Sequence, residues 1–161
     1  MMIREATWDD AEWILHHRLG MFRAMGEPKE FIEETSVLTK TYLEGDWTRD
    51  YRYFLVEDKK EVIGGCGLST FRLPPMAHQK TGIYTYLSNM FVEPEYQGKG
   101  IGRELLKHVI EVCENENIGL IILHASVHGS QLFKSEGFSS PEHLMHLITL
   151  KNRRGTDTKG Y

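Results

Sequence analysis

Residues 87–107, LSNMFVEPEYQGKGIGRELLK, constrain the fold more than any other stretch of the chain. Aromatic and β-branched side chains dominate residues 84–92 and favour a strand, which Pro94 ends because proline has no N–H to donate to a neighbouring strand. From Ile101 onward, apolar side chains recur at helical spacing opposite a charged face. The stretch therefore predicts a strand, a turn and a helix with one buried side.

Three glycines, Gly98, Gly100 and Gly102, stand where this helix begins. The first-turn N–H groups of a helix have no intrahelical acceptor, and the helix dipole places partial positive charge there. Because glycine has no Cβ, a phosphate can come close to these donors, so the segment has the chemistry of a pyrophosphate cradle. The alternative at this point is a glycine-rich turn that binds nothing.

Two familiar phosphate motifs differ from this spacing. The dinucleotide fingerprint G-x-G-x-x-G requires a third glycine where the chain has Arg103. The P-loop requires a glycine at the position of Glu93 and a Ser or Thr at the position of Gly100. The spacing therefore disfavours a Rossmann nucleotide-binding domain and excludes a P-loop.

The sequence before this stretch predicts further strands. Residues 2–6 predict an edge strand, and residues 51–57 and 61–71 predict a hairpin. With residues 84–92 they make four consecutive antiparallel strands. The second hairpin strand contains glycines that indicate a bulge or the close approach of another group, and these are Gly64, Gly65 and Gly67.

Helices and a parallel strand complete the pattern. Helical periodicity predicts two helices between residues 7 and 45, the first opened by a capping box of Thr7 and Asp10. The apolar run at residues 118–125 predicts a strand buried on both faces and parallel to the organising strand. A short helix at residues 128–136, closed by a glycine, and a last strand at residues 145–150 follow.

Length and composition predict one α/β domain. A chain of 161 residues can bury roughly 70% of its unfolded surface in one core, and we predict a single domain over residues 1–150 followed by a disordered tail, residues 151–161. A net charge of -4 and a pI near 6.1 give no field that would attract nucleic acid or anionic lipid.

The two cysteines and the hydropathy pattern bear on location. Cys66 and Cys113 lie in apolar segments without C-x-x-C spacing, so neither a disulfide framework nor a metal site is predicted. No signal peptide and no apolar run long enough to span a bilayer is recognisable. We therefore expect a cytoplasmic protein without a membrane partner.

The glycine stretch resembles the signature of the GNAT (GCN5-related) N-acetyltransferases, Q/R-x-x-G-x-G/A, which reads here as residues 97–102, QGKGIG. The resemblance extends over nearly the whole chain through the opening IREAT, the strand GGCGLS and the late LFKSEGF. It implies an α/β fold with a mixed, mostly antiparallel sheet, a central parallel strand pair splayed around acyl-CoA, and helices on both faces.

The resemblance also implies acetyl-CoA as co-substrate. Its pyrophosphate would lie on the backbone N–H groups of residues 98–103 and its pantetheine would pair with the backbone of Met90 and Val92. The link between the first two helices, residues 21–30, would form one wall of the acceptor site. The implied cofactor-binding set is Met90, Val92, Gln97, Gly98, Lys99, Gly100, Ile101, Gly102, Arg103, Ser126 and Phe133.

Candidate catalytic residues lie on the organising strand. Because side chains alternate along a strand, Tyr86 and Ser88 are expected to share a face with Met90 and to hold or deprotonate the acceptor amine. A core aromatic is the alternative for Tyr86, and Glu93 is a further candidate base. The family position of a tyrosine thought to protonate the departing thiolate is Phe133, which has no hydroxyl.

These expectations describe an N-acyltransferase that moves acetyl from acetyl-CoA to a primary amine by direct attack. The acceptor is a small molecule or a peptide, with antibiotic, polyamine, amino acid and protein amines all open, and the protein acts as a monomer or homodimer. The alternative, supported by Phe133, is a non-catalytic acyl-CoA-binding or sensing module.

Overall fold

The computed structural model describes residues 1–77, 80–127 and 129–141. The chain forms two compact units, the first ending at Leu123 and the second beginning at His124. The predicted last strand, the predicted tail and the predicted domain boundary at residue 150 lie outside the described residues, and so does His128.

Two consecutive helices follow the first strand, and three consecutive strands follow those helices. Short 3-10 turns at Trp8–Asp10, Trp47–Arg49 and Pro94–Tyr96 precede α1, β2 and α3. The first unit contains β1 Met2–Glu5, α1 Ala11–Ala24, α2 Lys29–Glu44, β2 Tyr51–Asp58, β3 Glu61–Arg72, β4 Ile83–Val92, α3 Ile101–Asn115 and β5 Leu120–Ile122, and the second contains α4 Ser130–Ser135.

The strands of the described residues form one sheet in the order β1-β2-β3-β4-β5. β1 to β4 are antiparallel neighbours, whereas β5 runs parallel to β4, with Tyr84 opposite Leu120 and Tyr86 opposite Ile122. The helix α3 joins the parallel pair into a βαβ unit. The predicted mixed, mostly antiparallel sheet with one parallel pair is confirmed.

One face of the sheet packs on α1 and α2. Tyr53 and Leu55 of β2 are fully buried and belong to one apolar cluster with Ile14 of α1, Leu43 of α2 and Trp47. Each fully buried side chain of this kind contributes about 1.5–3 kcal/mol through the hydrophobic effect. The first two helices are therefore held by the sheet rather than by their own helix propensity.

The opposite face packs on α3. The Phe54 ring of β2 lies edge-on to the ring of His108, with 5.5 Å between the two centroids. The predicted apolar side of the helix is buried at Ile101, Leu105, Leu106, Val109 and Cys113. Helices cover both faces of the sheet, as predicted.

The C-terminal end of α3 explains why the next strand is shorter than predicted. Asn117 adopts a left-handed φ of 55°, and the N–H of Ile118 donates to the Cys113 carbonyl at 2.8 Å. This is a Schellman cap, which uses Ile118 to close the helix. Only Leu120–Ile122 forms β5, and Leu120 is 44% exposed. The prediction of a strand buried on both faces is wrong, because Leu120 is exposed and Ile121 and Ile122 are only half-buried.

Candidate functional site

The glycine-rich turn forms the N-terminus of α3. Gly98 and Gly100 have left-handed φ angles of 74° and 83°, and Gly100 is the N-cap residue of the helix. A Cβ added at either glycine would meet no atom within 4 Å. The glycines are thus required by backbone conformation, and the space in front of them is open.

The first turn of α3 shows which N–H groups are used within the helix. The N–H of Arg103 donates to the Gly100 carbonyl at 3.0 Å, so it is used within the helix. Within this first turn the N–H groups of Ile101 and Gly102 are left without an intrahelical acceptor, as at every helix N-terminus. The assignment of residues 98–103 to the pyrophosphate stays a prediction.

Side chains around the turn fix its position. The Gln97 amide donates to the Val92 carbonyl at 2.8 Å and ties the loop to the end of β4. The hydroxyl of Tyr96 donates to a Glu61 carboxylate oxygen at 3.0 Å, and the Lys99 ammonium lies 5.0 Å from the centre of the Tyr96 ring. Gln97, Lys99 and Arg103 are all exposed.

The strand β4 is irregular next to this turn. Against β3, Ser88 lies opposite Gly67 and Phe91 lies opposite Gly65, so three residues of β4 span two of β3. This is a β-bulge, and Asn89 within it has a left-handed φ of 51°. The predicted bulge is confirmed, with its extra residue on β4.

The bulge changes which side chains share a face. Gly65 and Gly67 lie on one face of β3, so their partners Phe91 and Ser88 lie on one face of β4. The expectation that Met90 shares this face with Tyr86 and Ser88 is wrong, because the extra residue reverses the alternation after Ser88.

Hydrogen bonds from two other elements hold Asn89. Its side-chain oxygen accepts from Nη1 of Arg18 at 2.6 Å, and its side-chain nitrogen donates to the Tyr51 hydroxyl at 2.8 Å. Its carbonyl accepts from the Tyr53 hydroxyl at 3.3 Å, and this hydroxyl lies 3.1 Å from Nδ1 of His17. Asn89 is only 6% exposed, so each of these bonds lies away from solvent competition.

The two catalytic candidates occupy the same face of β4. Ser88 is half-buried and its side chain hydrogen bonds to the Tyr51 hydroxyl. Burial, partly offset by the hydrogen bonds of Ser88 and Asn89, raises the pKa of Tyr51 to about 12. Tyr86 is half-buried at the point where β4 meets Ile122 of β5. Ser88 thus lies beside a hydroxyl that keeps its proton at neutral pH.

Glu93 has partners that sequence reasoning missed. Its carboxylate lies 2.6 Å from Nε2 of His16 and 3.9 Å from Nε2 of His17. Burial, with a smaller effect of the neighbouring His16 charge, lowers the pKa of His17 to about 4. Both histidines lie in α1, and His16 is 77 positions from Glu93 in the chain. No local sequence pattern indicates a contact between residues so far apart.

The residues of the second unit have local partners. The Ser126 hydroxyl oxygen accepts from the N–H of Gly129 at 3.0 Å. Phe133 is buried in α4, and its carbonyl accepts from the N–H of Phe138 after a left-handed Gly137. The predicted glycine cap of this helix is confirmed as a Schellman motif. The assignment of Ser126 and Phe133 to cofactor binding stays a prediction.

Two features are absent from residues 1–77, 80–127 and 129–141. No group of three or more His, Cys, Asp or Glu side chains in these ranges is placed to hold a metal ion. No helix within them is long and apolar enough to cross a bilayer.

Comparison with known proteins identifies a family. The model of the acetyltransferase (GNAT) family matches residues 12–138. The spermine/spermidine N(1)-acetyltransferase of Bacillus subtilis (strain 168) is 33% identical over 57 residues, which are 33% of this chain and 38% of that protein. The chain therefore matches little more than a third of the length of that relative.

Solved structures share the fold. A GCN5-related N-acetyltransferase from Ralstonia eutropha JMP134 is similar with a TM-score of 0.81 and 23% identity, over 91% of this chain and 97% of that chain. A predicted acetyltransferase with acetyl-CoA from Clostridium acetobutylicum is similar with a TM-score of 0.76 and 24% identity, over 91% and 95%. At this level of identity the likeness concerns the fold.

Proposed function

The chain belongs to the GNAT acetyltransferase family, and from this premise we propose that it is an acyl-CoA-dependent N-acetyltransferase that transfers acetyl from acetyl-CoA to a primary amine. The observation that carries the proposal is the open N-terminus of α3 behind two left-handed glycines. We further propose a cytoplasmic protein, which the two free, buried cysteines support.

The residues at this turn fit acyl-CoA. Open space in front of Gly98 and Gly100 admits a pyrophosphate to the helix N-terminus, where N–H groups and the helix dipole favour an anion. Lys99 and Arg103 are exposed and add positive charge. The backbone of Met90 and Val92 is assigned to the pantetheine, and Gln97 keeps the loop against β4.

Bound acetyl-CoA supplies an acyl thioester that is activated for attack, and the chain's own residues handle the acceptor amine. An alkyl amine with a pKa of about 10.4 is protonated at pH 7, and exposing its lone pair costs about 4.6 kcal/mol. Ser88 and Tyr86 are assigned to hold the amine or to accept its proton, directly or through water. Tyr51 orients Ser88 and keeps its own proton.

The acceptor is assigned as a primary amine of a small molecule or peptide. The spermine/spermidine acetyltransferase among the relatives makes polyamines one class to be tested. The protein is proposed to act as a monomer or homodimer.

Turnover with a panel of amines tests the proposal. The protein is incubated with acetyl-CoA and spermidine, amino acids, an aminoglycoside or peptides, and free thiol release is followed together with the mass of the acceptor. The protein's own cysteines give little background, because both are buried and burial raises the pKa of Cys113 to about 11. An acceptor heavier by one acetyl group is the expected product.

The variant Gly100→Asp tests the cradle. A carboxylate at the helix N-cap repels the pyrophosphate, so calorimetry is expected to show CoA affinity reduced by about a hundredfold or more. Gly26→Asp is the matched control, since Gly26 also has a left-handed φ, 80°, and open space around it. If the native protein binds CoA but acetylates no amine, the non-catalytic binding module is correct. If it does not bind CoA, both functions are wrong.

A further inference from the structure

Asn89 has a backbone conformation that non-glycine residues seldom adopt within a strand. Its φ of 51° is left-handed, which is unfavourable for a non-glycine residue, although less so for Asn, and persists only where neighbouring groups impose it. It lies between Ser88 and Met90, and its side chain is almost completely buried. The surroundings must therefore hold this conformation.

Three groups hold it from different directions. Arg18 of α1 donates to the side-chain oxygen, the side-chain nitrogen donates to Tyr51 of β2, and Tyr53 of β2 donates to the carbonyl. Arg18 is itself fixed, because its Nε donates to the Thr39 hydroxyl at 3.1 Å and its guanidinium lies 5.1 Å from the Phe22 ring centre. The charge-assisted bond at 2.6 Å is the shortest of the three.

Two glycines allow β2 to reach Asn89 across β3. A Cβ at Gly67 would overlap the hydroxyl of Tyr51, and a Cβ at Gly65 would lie 2.5 Å from a ring carbon of Tyr53. The two tyrosines therefore cross β3 over positions that have no side chain. This accounts for glycines in a strand interior, where they are otherwise unfavourable.

We propose that Asn89 is a positioning residue, and that Arg18, Tyr51 and Tyr53 form with it a clamp that keeps the bulge of β4 in place. The inference rests on the proposed function, because β4 carries Ser88 and the backbone assigned to the pantetheine. Without the extra residue of the bulge, the pairing with β3 would shift by one position and residues after Ser88 would change face. The clamp thus determines which groups β4 presents to acyl-CoA and amine.

Kinetics of three variants test the clamp. Asn89→Gly tolerates the left-handed φ but removes both side-chain bonds, and Arg18→Met removes one of them. Each is expected to raise KM for acetyl-CoA and lower kcat, with kcat/KM reduced roughly tenfold or more. Because Arg18 acts through Asn89, the double variant is expected to be no worse than Asn89→Gly alone. Losses that multiply in the double variant would overturn the clamp.

Arg52→Met is the matched control. Arg52 is also a partly buried arginine, but it bonds Glu5 and Glu116 and lies against Phe54 on the other face of the sheet. Its kinetics are expected to be those of the native protein, and a tenfold loss in this variant would show that such effects are not specific to the bulge.

Hydrogen exchange of the β4 peptide gives a readout that does not depend on activity. Asn89→Gly and Arg18→Met are expected to accelerate exchange at residues 83–92, whereas Arg52→Met leaves this peptide unchanged. Native exchange in both clamp variants would overturn the clamp even if the protein is an active acetyltransferase. If the native protein transfers no acetyl group but the two variants still exchange faster than it does, the clamp is supported while the proposed function fails.

Discussion

Two consecutive histidines of α1 occupy opposite environments. His16 is exposed and its Nε2 lies 2.6 Å from the Glu93 carboxylate, whereas the side chain of His17 is fully buried. Nε2 of His17 has no hydrogen-bond partner among the described residues. Because Tyr53 donates its proton to Asn89, its oxygen accepts from Nδ1 of His17, which assigns the proton of the neutral ring to Nδ1.

Phe133 lies where the family resemblance implies a tyrosine that protonates the departing thiolate, and it has no hydroxyl. A thiol with a pKa of about 8.5 costs only about 2 kcal/mol to leave as thiolate at pH 7, which is less than half the cost of deprotonating the amine. A dedicated acid is therefore dispensable.

We predict that Phe133→Tyr raises turnover by at most a fewfold, and that the native rate rises with pH as the amine or its base loses a proton. Initial rates of both proteins from pH 6 to 9 check this. Transfer that is absent in the native protein and present in Phe133→Tyr would contradict the prediction and favour the binding module.

At the scale of elements, the glycines serve two purposes. Gly98, Gly100 and Gly137 have positive φ angles and nothing within 4 Å of an added Cβ, so they shape turns at helix ends. Gly65 and Gly67 lie within β3 and are needed because tyrosine side chains of β2 occupy the space of their missing Cβ atoms.

Gly67→Ala is expected to destabilise the protein by about 2–3 kcal/mol, because the new methyl group displaces Tyr51, which is fully packed. Gly45→Ala is the control, since Gly45 has a φ of -86° and its nearest neighbour to a Cβ lies at 3.4 Å. Its stability is expected to stay within about 0.5 kcal/mol of the native value. Chemical denaturation measures both, and equal stabilities would show that Tyr51 does not need this space.

At the scale of the whole molecule, two buried titratable groups make stability depend on pH. Burial lowers the pKa of His17 from 6.5 to about 4. The Arg4 guanidinium, bonded through both terminal nitrogens at 2.8 Å, lowers the pKa of Asp10 from 3.8 to about 2. In both cases the unfolded chain binds a proton at a higher pH than the folded one, so acidification favours unfolding.

The loss of stability is expected in two windows. Well above pH 6.5, His17 is neutral in both the folded and the unfolded state. As the pH falls from there to about 4, protonation of His17 in the unfolded chain lowers the unfolding free energy by about 3 kcal/mol. Between pH 3.8 and about 2, protonation of Asp10 in the unfolded chain lowers the unfolding free energy by about 2 kcal/mol more. Unfolding free energies of the native protein and His17→Gln across pH 7 to 4 check the first window. The variant is expected to show a flatter profile, and identical profiles would show that His17 is not the titrating group.

Several features follow from the sequence alone because they depend on neighbours along the chain. The apolar positions of α3 recur every three to four residues, and burial of Leu105, Leu106 and Val109 follows from that spacing. The strand alternation of the hairpin and the left-handed glycines of the turn before α3 likewise reflect local sterics and periodicity. The strands, α3 and the glycine-rich turn could therefore be predicted, and the fold class followed from the resemblance that these segments carry. The assignment of the turn to a pyrophosphate stays a prediction.

Other features were decided by contacts between residues far apart in the chain. Asn89 and Arg18 are 71 positions apart, and Glu93 and His16 are 77 apart. The bulge and the face occupied by Met90 also depend on what packs beside each strand. A periodic pattern specifies which side of an element is buried, but only the folded chain brings distant side chains within hydrogen-bond distance, and these bonds determine where the pattern is interrupted.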